Sequence, residues 1–170
     1  QSKIAYADEQ GIPKLIPNSE GERFTPSFVF VGSDRVLVGK QALAAGAINP
    51  EFLVRNVKED ISDPTLRLPK GNPIYGPVEI AGFLFQSLKC DAESHLGTEV
   101  RQAVITVPVS FGDSERRATV AAAEMAGLEV LDVVDEPLAA ALYYWIGDSE
   151  LGGNYSALAG EERILVFDLG

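Results

Sequence analysis

Alternation of apolar strand segments with helical segments in the second half of the chain constrains the fold more than any other feature. The order is strand, helix, strand, helix, strand, at 103–107, 114–126, 129–134, 136–147 and 164–168. This order predicts a parallel α/β sheet with crossover helices, and such sheets bind ligands at the carboxyl ends of their strands. The run at 103–107 is almost continuously apolar, so we predict that its sheet is covered on both faces.

Residues 1–40 have a different pattern, which predicts antiparallel β structure. Strand segments at 4–7 and 14–17 flank a turn, and segments at 28–31 and 36–38 form a second predicted hairpin. Three predicted helices follow, at 41–48, 51–61 and 78–96. Prolines recur between 62 and 77, which predicts a loop or an edge hairpin there.

The composition excludes several classes of function. The chain has 14 Lys and Arg against 25 Asp and Glu, and its net charge of −11 repels a polyanion, so we predict no nucleic-acid partner. A nucleotide remains compatible, because a magnesium ion and backbone amides can hold a small phosphate. Cys90 has no second cysteine to pair with, which favours a cytoplasmic location. No apolar stretch reaches the length of about 18 residues that a membrane span needs.

Chemistry-bearing residues follow three of the predicted strands at their carboxyl ends. Pro108 follows the first strand, Asp135 and Glu136 the second, and Asp168 with Gly170 the third. An acidic residue that leads into a glycine turn suits a metal-bound phosphate, because the carboxylate reaches the cation while bare amides approach the anion. The three strand ends are therefore expected to converge on one phosphate-binding crevice.

Several ordered motifs resemble the nucleotide-binding domain of the seventy-kilodalton heat-shock chaperones. The matching segments are 18–27, 49–50, 104–119, 126–130, 135–141 and 167–170. The resemblance implies an actin-like ATPase (ribonuclease-H-like) lobe with a mixed sheet and flanking helices. It implies a core subdomain of 1–26 and 77–170 and a smaller inserted α+β subdomain of 27–76. It also implies a chain that is incomplete at both ends, because family members carry a first phosphate loop before this region and a second lobe after it.

The same resemblance assigns roles in catalysis and in nucleotide binding. Lys58 falls at the place of the family's catalytic lysine, where a cation orients the attacking water and stabilises charge on the γ-phosphate. Glu136 matches the acid that acts on the water or on hydrated magnesium, so it is predicted to be catalytic and, through water, metal-binding. Asp168 and Gly170 match the second phosphate loop, with Asp168 also at the metal. The implied cofactors of the intact parent are ATP or ADP and Mg²⁺, and for the isolated chain we expect weak or undetectable nucleotide binding.

Pro108 and Arg116 match a regulatory relay that passes the nucleotide state to a peptide-binding domain in the family. The implied partners of the parent protein are unfolded peptides and co-chaperones. For the isolated chain we expect negligible ATP hydrolysis. An unpaired sheet edge could also let the isolated lobe self-associate.

Other interpretations of these residues and of the whole chain stay open at this point. Lys58 could be a solvated helix lysine, Glu136 a helix-start acid, and Asp168 a carboxylate that ends a strand. Pro108 could simply terminate its strand, and Arg116 could be a surface residue of the first helical turn. The chain could serve as a non-catalytic partner-binding module, or belong to another actin-like ATPase such as a sugar kinase or a filament-forming protein.

Overall fold

A computed structural model describes residues 1–55, 57–69 and 74–150 of the chain. The described elements are β1 (Ile4–Ala7), β2 (Pro13–Ile16), β3 (Val29–Val31), β4 (Val36–Val38), α1 (Gly39–Ile48), a 3₁₀ turn (Pro50–Phe52), β5 (Leu53–Val54), α2 (Pro77–Leu96), β6 (Gln102–Val107), α3 (Asp113–Met125), β7 (Glu129–Asp135) and α4 (Glu136–Glu150). They form a mixed α/β structure. The predicted last strand at 164–168 lies outside the described residues, together with Asp168 and Gly170.

Both N-terminal hairpins are present, so these two predictions are confirmed. Strands β1 and β2 pair antiparallel, and Oδ1 of Asp8 accepts hydrogen bonds from the amides of Gln10 and Ile12 across their turn. This side-chain bonding is the usual reason that Asp favours turns. Strand β3 pairs antiparallel with β4.

The predicted helix at 51–61 is wrong. The chain makes a 3₁₀ turn at Pro50–Phe52 and then strand β5, which pairs antiparallel with β3 so that Val54 lies opposite Val29. Val54, Val57 and Ile61 are all at most 5% exposed, because the extended segment and the turn after it can bury them against α2 and β3. This burial outweighs the helical propensity of the local sequence.

Helix α2 provides the centre of the main hydrophobic core and confirms the predicted helix at 78–96. It begins at Pro77, and the amide of Gly76 donates to Oε2 of Glu79 at 2.7 Å. It ends at Gly97, which has φ +67 and caps the last turn. Ile80 is fully buried on the inward face of α2, among side chains from β3, from β5 and from the turn after β5.

Strands β6 and β7 form a parallel pair, joined through α3 as the alternating pattern predicts. The side chains of β6 alternate between buried and exposed, with Ile105 8% and Val104 56% exposed. The prediction that both faces are covered is therefore wrong for the described part of the chain. Ile105 and Val107 pack with Ala123 of α3 and Phe85 of α2, and both helices lie on that one face. None of the described helices is long and apolar enough to cross a membrane.

A close approach of α1 to β5 gives a testable consequence for stability. A Cβ atom on Gly46 would lie 2.5 Å from Cδ2 and 2.7 Å from Cβ of Leu53, so a side chain there forces the two elements apart. We expect Gly46→Ala to lower the free energy of unfolding by about 1–3 kcal/mol, the usual effect of overpacking.

Gly82→Ala provides the matched control for this substitution, to be compared by urea denaturation. Gly82 is also buried in a helix, but its nearest atom would be the carbonyl oxygen of Ala122 at 3.4 Å, an ordinary contact. We expect Gly82→Ala to be neutral or to stabilise by up to about 1 kcal/mol, since alanine favours helices over glycine. Equal effects of the two substitutions would contradict the clash at Gly46.

Candidate functional site

The structure brings together the two residues that the sequence predicts to be catalytic. Nζ of Lys58 donates a hydrogen bond to Oε1 of Glu136 at 2.7 Å, although the two residues are 78 positions apart in the chain. Their side chains are 54% and 34% exposed, so both remain accessible from solvent. A lysine and a carboxylate that meet at the end of a strand can each exchange their partner for a ligand.

Local structure explains why these two side chains meet. Lys58 lies in the turn after β5, directly after Val57 and three residues before Ile61, and both of these apolar residues are 4% exposed in the main core. Glu136 is the first residue of α4 and directly follows the last residue of β7. Lys58 therefore projects from an anchored turn toward the carboxyl end of the parallel strand pair.

Phe111, which sequence reasoning missed, lies beside Lys58. Nζ of Lys58 is 6.0 Å from the centroid of the Phe111 ring, at the limit of a cation–π contact. The amide of Phe111 donates to the carbonyl oxygen of Pro108 at 3.0 Å, which turns the chain from β6 toward α3. The only sequence signal for Phe111 is its place in the segment between the strand-ending proline and the next helix.

Arg116 connects this turn to the end of β7. Its Nε donates to the carbonyl oxygen of Phe111 at 3.1 Å, and its guanidinium forms an ion pair with Asp135. Asp135 directly precedes Glu136, so Arg116 contacts the residue next to the Lys58–Glu136 pair. Pro108 joins the cluster through its backbone carbonyl. The sequence located Asp135 at the strand end but gave it no separate role.

A second polar link, also missed from the sequence, joins the Lys58 turn to α3. Oγ of Ser62 donates to Oε1 of Glu115 at 2.8 Å, and Oγ of Ser114 donates to Oε2 of Glu115 at 2.9 Å. Hydrogen bonds from its own amide, and then from the two serine hydroxyls, lower the pKa of Glu115 below its ordinary value. The lowered pKa keeps Glu115 charged, and therefore an acceptor, to a more acidic pH than an ordinary glutamate.

The arrangement of described carboxylates limits how a metal ion could be held. Within residues 1–55, 57–69 and 74–150, no group of three or more His, Cys, Asp or Glu side chains is placed to coordinate a metal ion directly. Mg²⁺ commonly keeps several waters and binds through one or two carboxylates together with substrate phosphates. Glu136 fits such a role through water, and Lys58 fits a phosphate oxygen.

Comparison with known proteins shows the family to which this chain belongs. A family model described as "Hsp70 protein" matches residues 1–65 and 57–170. The chain belongs to the Hsp70 family. It is 41% identical over 171 residues to the "Chaperone protein DnaK" of Thermotoga petrophila and of Thermotoga maritima, and 40% identical to that of Thermotoga neapolitana. Each alignment covers 99% of this Hsp70-family chain and 27% of the relative, so the chain spans 27% of the length of these relatives. The resemblance stated from the motifs is confirmed.

Proposed function

We propose that the chain is part of the ATP-binding and ATP-hydrolysing domain of a molecular chaperone that assists protein folding. The observation that carries this proposal is the 2.7 Å contact between Lys58 and Glu136 in a chain of the Hsp70 family. The relatives are named as chaperone proteins. The contact joins an ammonium, a group that can stabilise charge on a phosphate, to a carboxylate, a group that can accept a proton from water.

We propose that the mixed α/β structure is a lobe of the actin-like ATPase fold, as Hsp70 membership implies. Its core subdomain would comprise 1–26 and 77–170, and 27–76 would form the smaller inserted subdomain. Strands β3, β4 and β5 support this division, because they form a separate three-stranded sheet within 27–76. The parallel β6–β7 pair, which bears Glu136 at its end, belongs to the proposed core subdomain.

Lys58 and Glu136 would have different roles in the reaction. Bound ATP with Mg²⁺ supplies the transferable phosphoryl group and the hydrated metal. The ammonium of Lys58 would orient the attacking water and stabilise negative charge on the γ-phosphate. The carboxylate of Glu136 would accept a proton from the water or hold a water of the metal. Asp168 and Gly170 would form the second phosphate loop, with Asp168 at the metal.

Pro108 and Arg116 would form a relay toward a peptide-binding domain, for which unfolded peptides and co-chaperones would be the partners. The continuous path from the carbonyl of Pro108 through Phe111 to Arg116 and Asp135 supports this proposal. Through this path, a change in the bound nucleotide would displace the surface of α3. We propose a cytoplasmic location, in agreement with the single cysteine, Cys90, in the sequence of this chain.

The relay leads to an expected result in the full-length protein. Arg116→Ala should reduce the stimulation of ATP hydrolysis by an unfolded peptide about fivefold or more, the lower end of usual coupling between sites. The comparison variant is Arg117→Ala, which removes the exposed neighbouring guanidinium. The readout is the ratio of peptide-stimulated to basal hydrolysis, and equal ratios in the two variants would speak against the relay.

The proposed function is tested by measuring Mg²⁺-dependent ATP hydrolysis by the full-length protein with and without an unfolded peptide. We expect hydrolysis that the peptide accelerates. Phosphoryl transfer from ATP to a sugar would instead indicate a sugar kinase. Absence of any hydrolysis, together with retained protein binding, would indicate a partner-binding module.

A further inference from the structure

Three polar links join three segments of the candidate site into a closed ring. The segments are the turn at 57–63, the start of α3, and the junction of β7 with α4. The links are Ser62 to Glu115 at 2.8 Å, Arg116 to Asp135, and Glu136 to Lys58 at 2.7 Å. We call this arrangement the three-segment ring. Each segment supplies two linking residues, and each of these bonds to a different one of the other two segments.

The two ion pairs of the three-segment ring contribute little to stability. The side chains of its two ion pairs are between 29% and 54% exposed, and ion pairs at such positions are screened by solvent. Apolar anchors maintain the fold around these segments, namely Val57 and Ile61 within the turn and Val107 at the end of the adjacent strand β6. The ring instead restricts where its polar side chains can lie relative to one another.

The hydrogen bond between Ser62 and Glu115 joins the end of the turn that carries Lys58 to α3. The backbone of the turn sets where the side chain of Lys58 begins, and the hydrogen bond to Glu136 sets where its Nζ lies. Val57 and Ile61 fix one side of this turn in the core, and Ser62 fixes its end to α3. Oε1 of Glu115 accepts the hydroxyl of Ser62 from the turn, while Oε2 accepts the hydroxyl of Ser114 from within α3 itself.

We propose that Ser62 and Glu115 are positioning residues for ATP hydrolysis, because their hydrogen bond fixes the turn that carries Lys58. This inference rests on the proposed function. Neither residue touches the reacting atoms, and both act through Lys58. A displacement of about 1 Å in a reacting group can lower a rate by about 10²-fold, so partial loosening of the turn should give a smaller but measurable loss.

The test uses Ser62→Ala, Glu115→Gln and Ser62→Thr in the full-length protein. We expect Ser62→Ala to lower the single-turnover rate of ATP hydrolysis by about tenfold while ATP affinity stays within about twofold, since the link orients Lys58 without binding the nucleotide. Glu115→Gln weakens the acceptor of this hydrogen bond and should also lower the single-turnover rate. Ser62→Thr retains the hydroxyl and should restore most of the rate.

Ser114→Ala is the matched control, because it removes the other hydroxyl from Glu115 without releasing the turn. We expect this variant to keep a rate near that of the wild type. Adding Ser62→Ala to Lys58→Ala should cause no further loss, since Ser62 acts only through Lys58. A wild-type rate in Ser62→Ala, or a full additional loss in the double variant, would overturn the inference while the proposed function stands.

Hydrogen exchange separates failure of this inference from failure of the proposed function. The amides of 57–63 should exchange faster in Ser62→Ala than in the wild type, and should be unchanged in Ser114→Ala. If the full-length wild type hydrolyses no ATP, the proposed function fails and the catalytic part of this inference fails with it. If hydrolysis is normal and exchange at 57–63 does not respond to Ser62→Ala, only the positioning role is overturned.

Discussion

Lys58→Ala in the full-length protein is expected to lower the single-turnover rate of ATP hydrolysis by about 10²-fold or more, the usual loss when a charge-stabilising group is removed. The structure places Nζ of Lys58 2.7 Å from Oε1 of Glu136, at the carboxyl end of the strand pair. Removing the ammonium takes away the positive charge that would meet the γ-phosphate. Glu136→Ala is expected to have an effect of the same size, because the carboxylate would act on the water or on a metal-bound water.

Rapid mixing of a preformed ATP complex, followed by quantification of ADP, measures this rate independently of product release. Glu59→Ala is a suitable control, since it removes an exposed charge next to Lys58. The double variant Lys58→Ala with Glu136→Ala should lose much less of the rate than the product of the two single losses, because the effects of residues that act as a unit are not additive. Wild-type turnover in either single variant would remove its catalytic assignment.

Ile80→Ala is expected to lower the free energy of unfolding by about 2–5 kcal/mol, the range for isoleucine truncation in a packed core. Ile80 is 0% exposed and contacts the core cluster to which β3, β5 and the Lys58 turn contribute. Three lost carbon atoms at this position would leave a cavity that several elements line, so the site cannot collapse easily.

Ile48→Ala is the matched control for Ile80→Ala, since Ile48 lies at the end of α1 and is 80% exposed. It removes the same atoms and should change stability by no more than about 0.5 kcal/mol, as is usual for a surface substitution. Urea denaturation followed by far-ultraviolet circular dichroism measures both variants. Similar losses would mean that Ile80 does not occupy the centre of the core.

Local signals predicted the elements whose boundaries depend on local chemistry. The β1–β2 hairpin follows from the turn formers around Asp8, and α2 follows from helical spacing between Pro77 and Gly97. The helix prediction at 51–61 was wrong because the pairing with β3 and the burial of Val57 are not visible in the sequence of this segment. In β6, apolar residues occupy both faces, so the pattern could not show which face the described helices cover.

The candidate site was predictable only where motifs carried it. Lys58 and Glu136 were located through the family resemblance, and the structure adds that their side chains touch. Phe111, Ser62 and Glu115 were missed, because their roles depend on contacts between segments distant in sequence. A serine in a turn or a glutamate in the first turn of a helix has many ordinary explanations, and nothing in the sequence distinguishes these two.

The burial of Val57 and Ile61 on either side of Lys58 has an evolutionary consequence. These two side chains share a core with Ile80, so a change of volume at any of the three also displaces the backbone that carries the ammonium. Substitutions accepted in this core during divergence should therefore arise as compensating pairs, one on the turn and one on α2. Lineages that exchanged only one member of such a pair would carry a displaced Lys58 turn together with a less stable core.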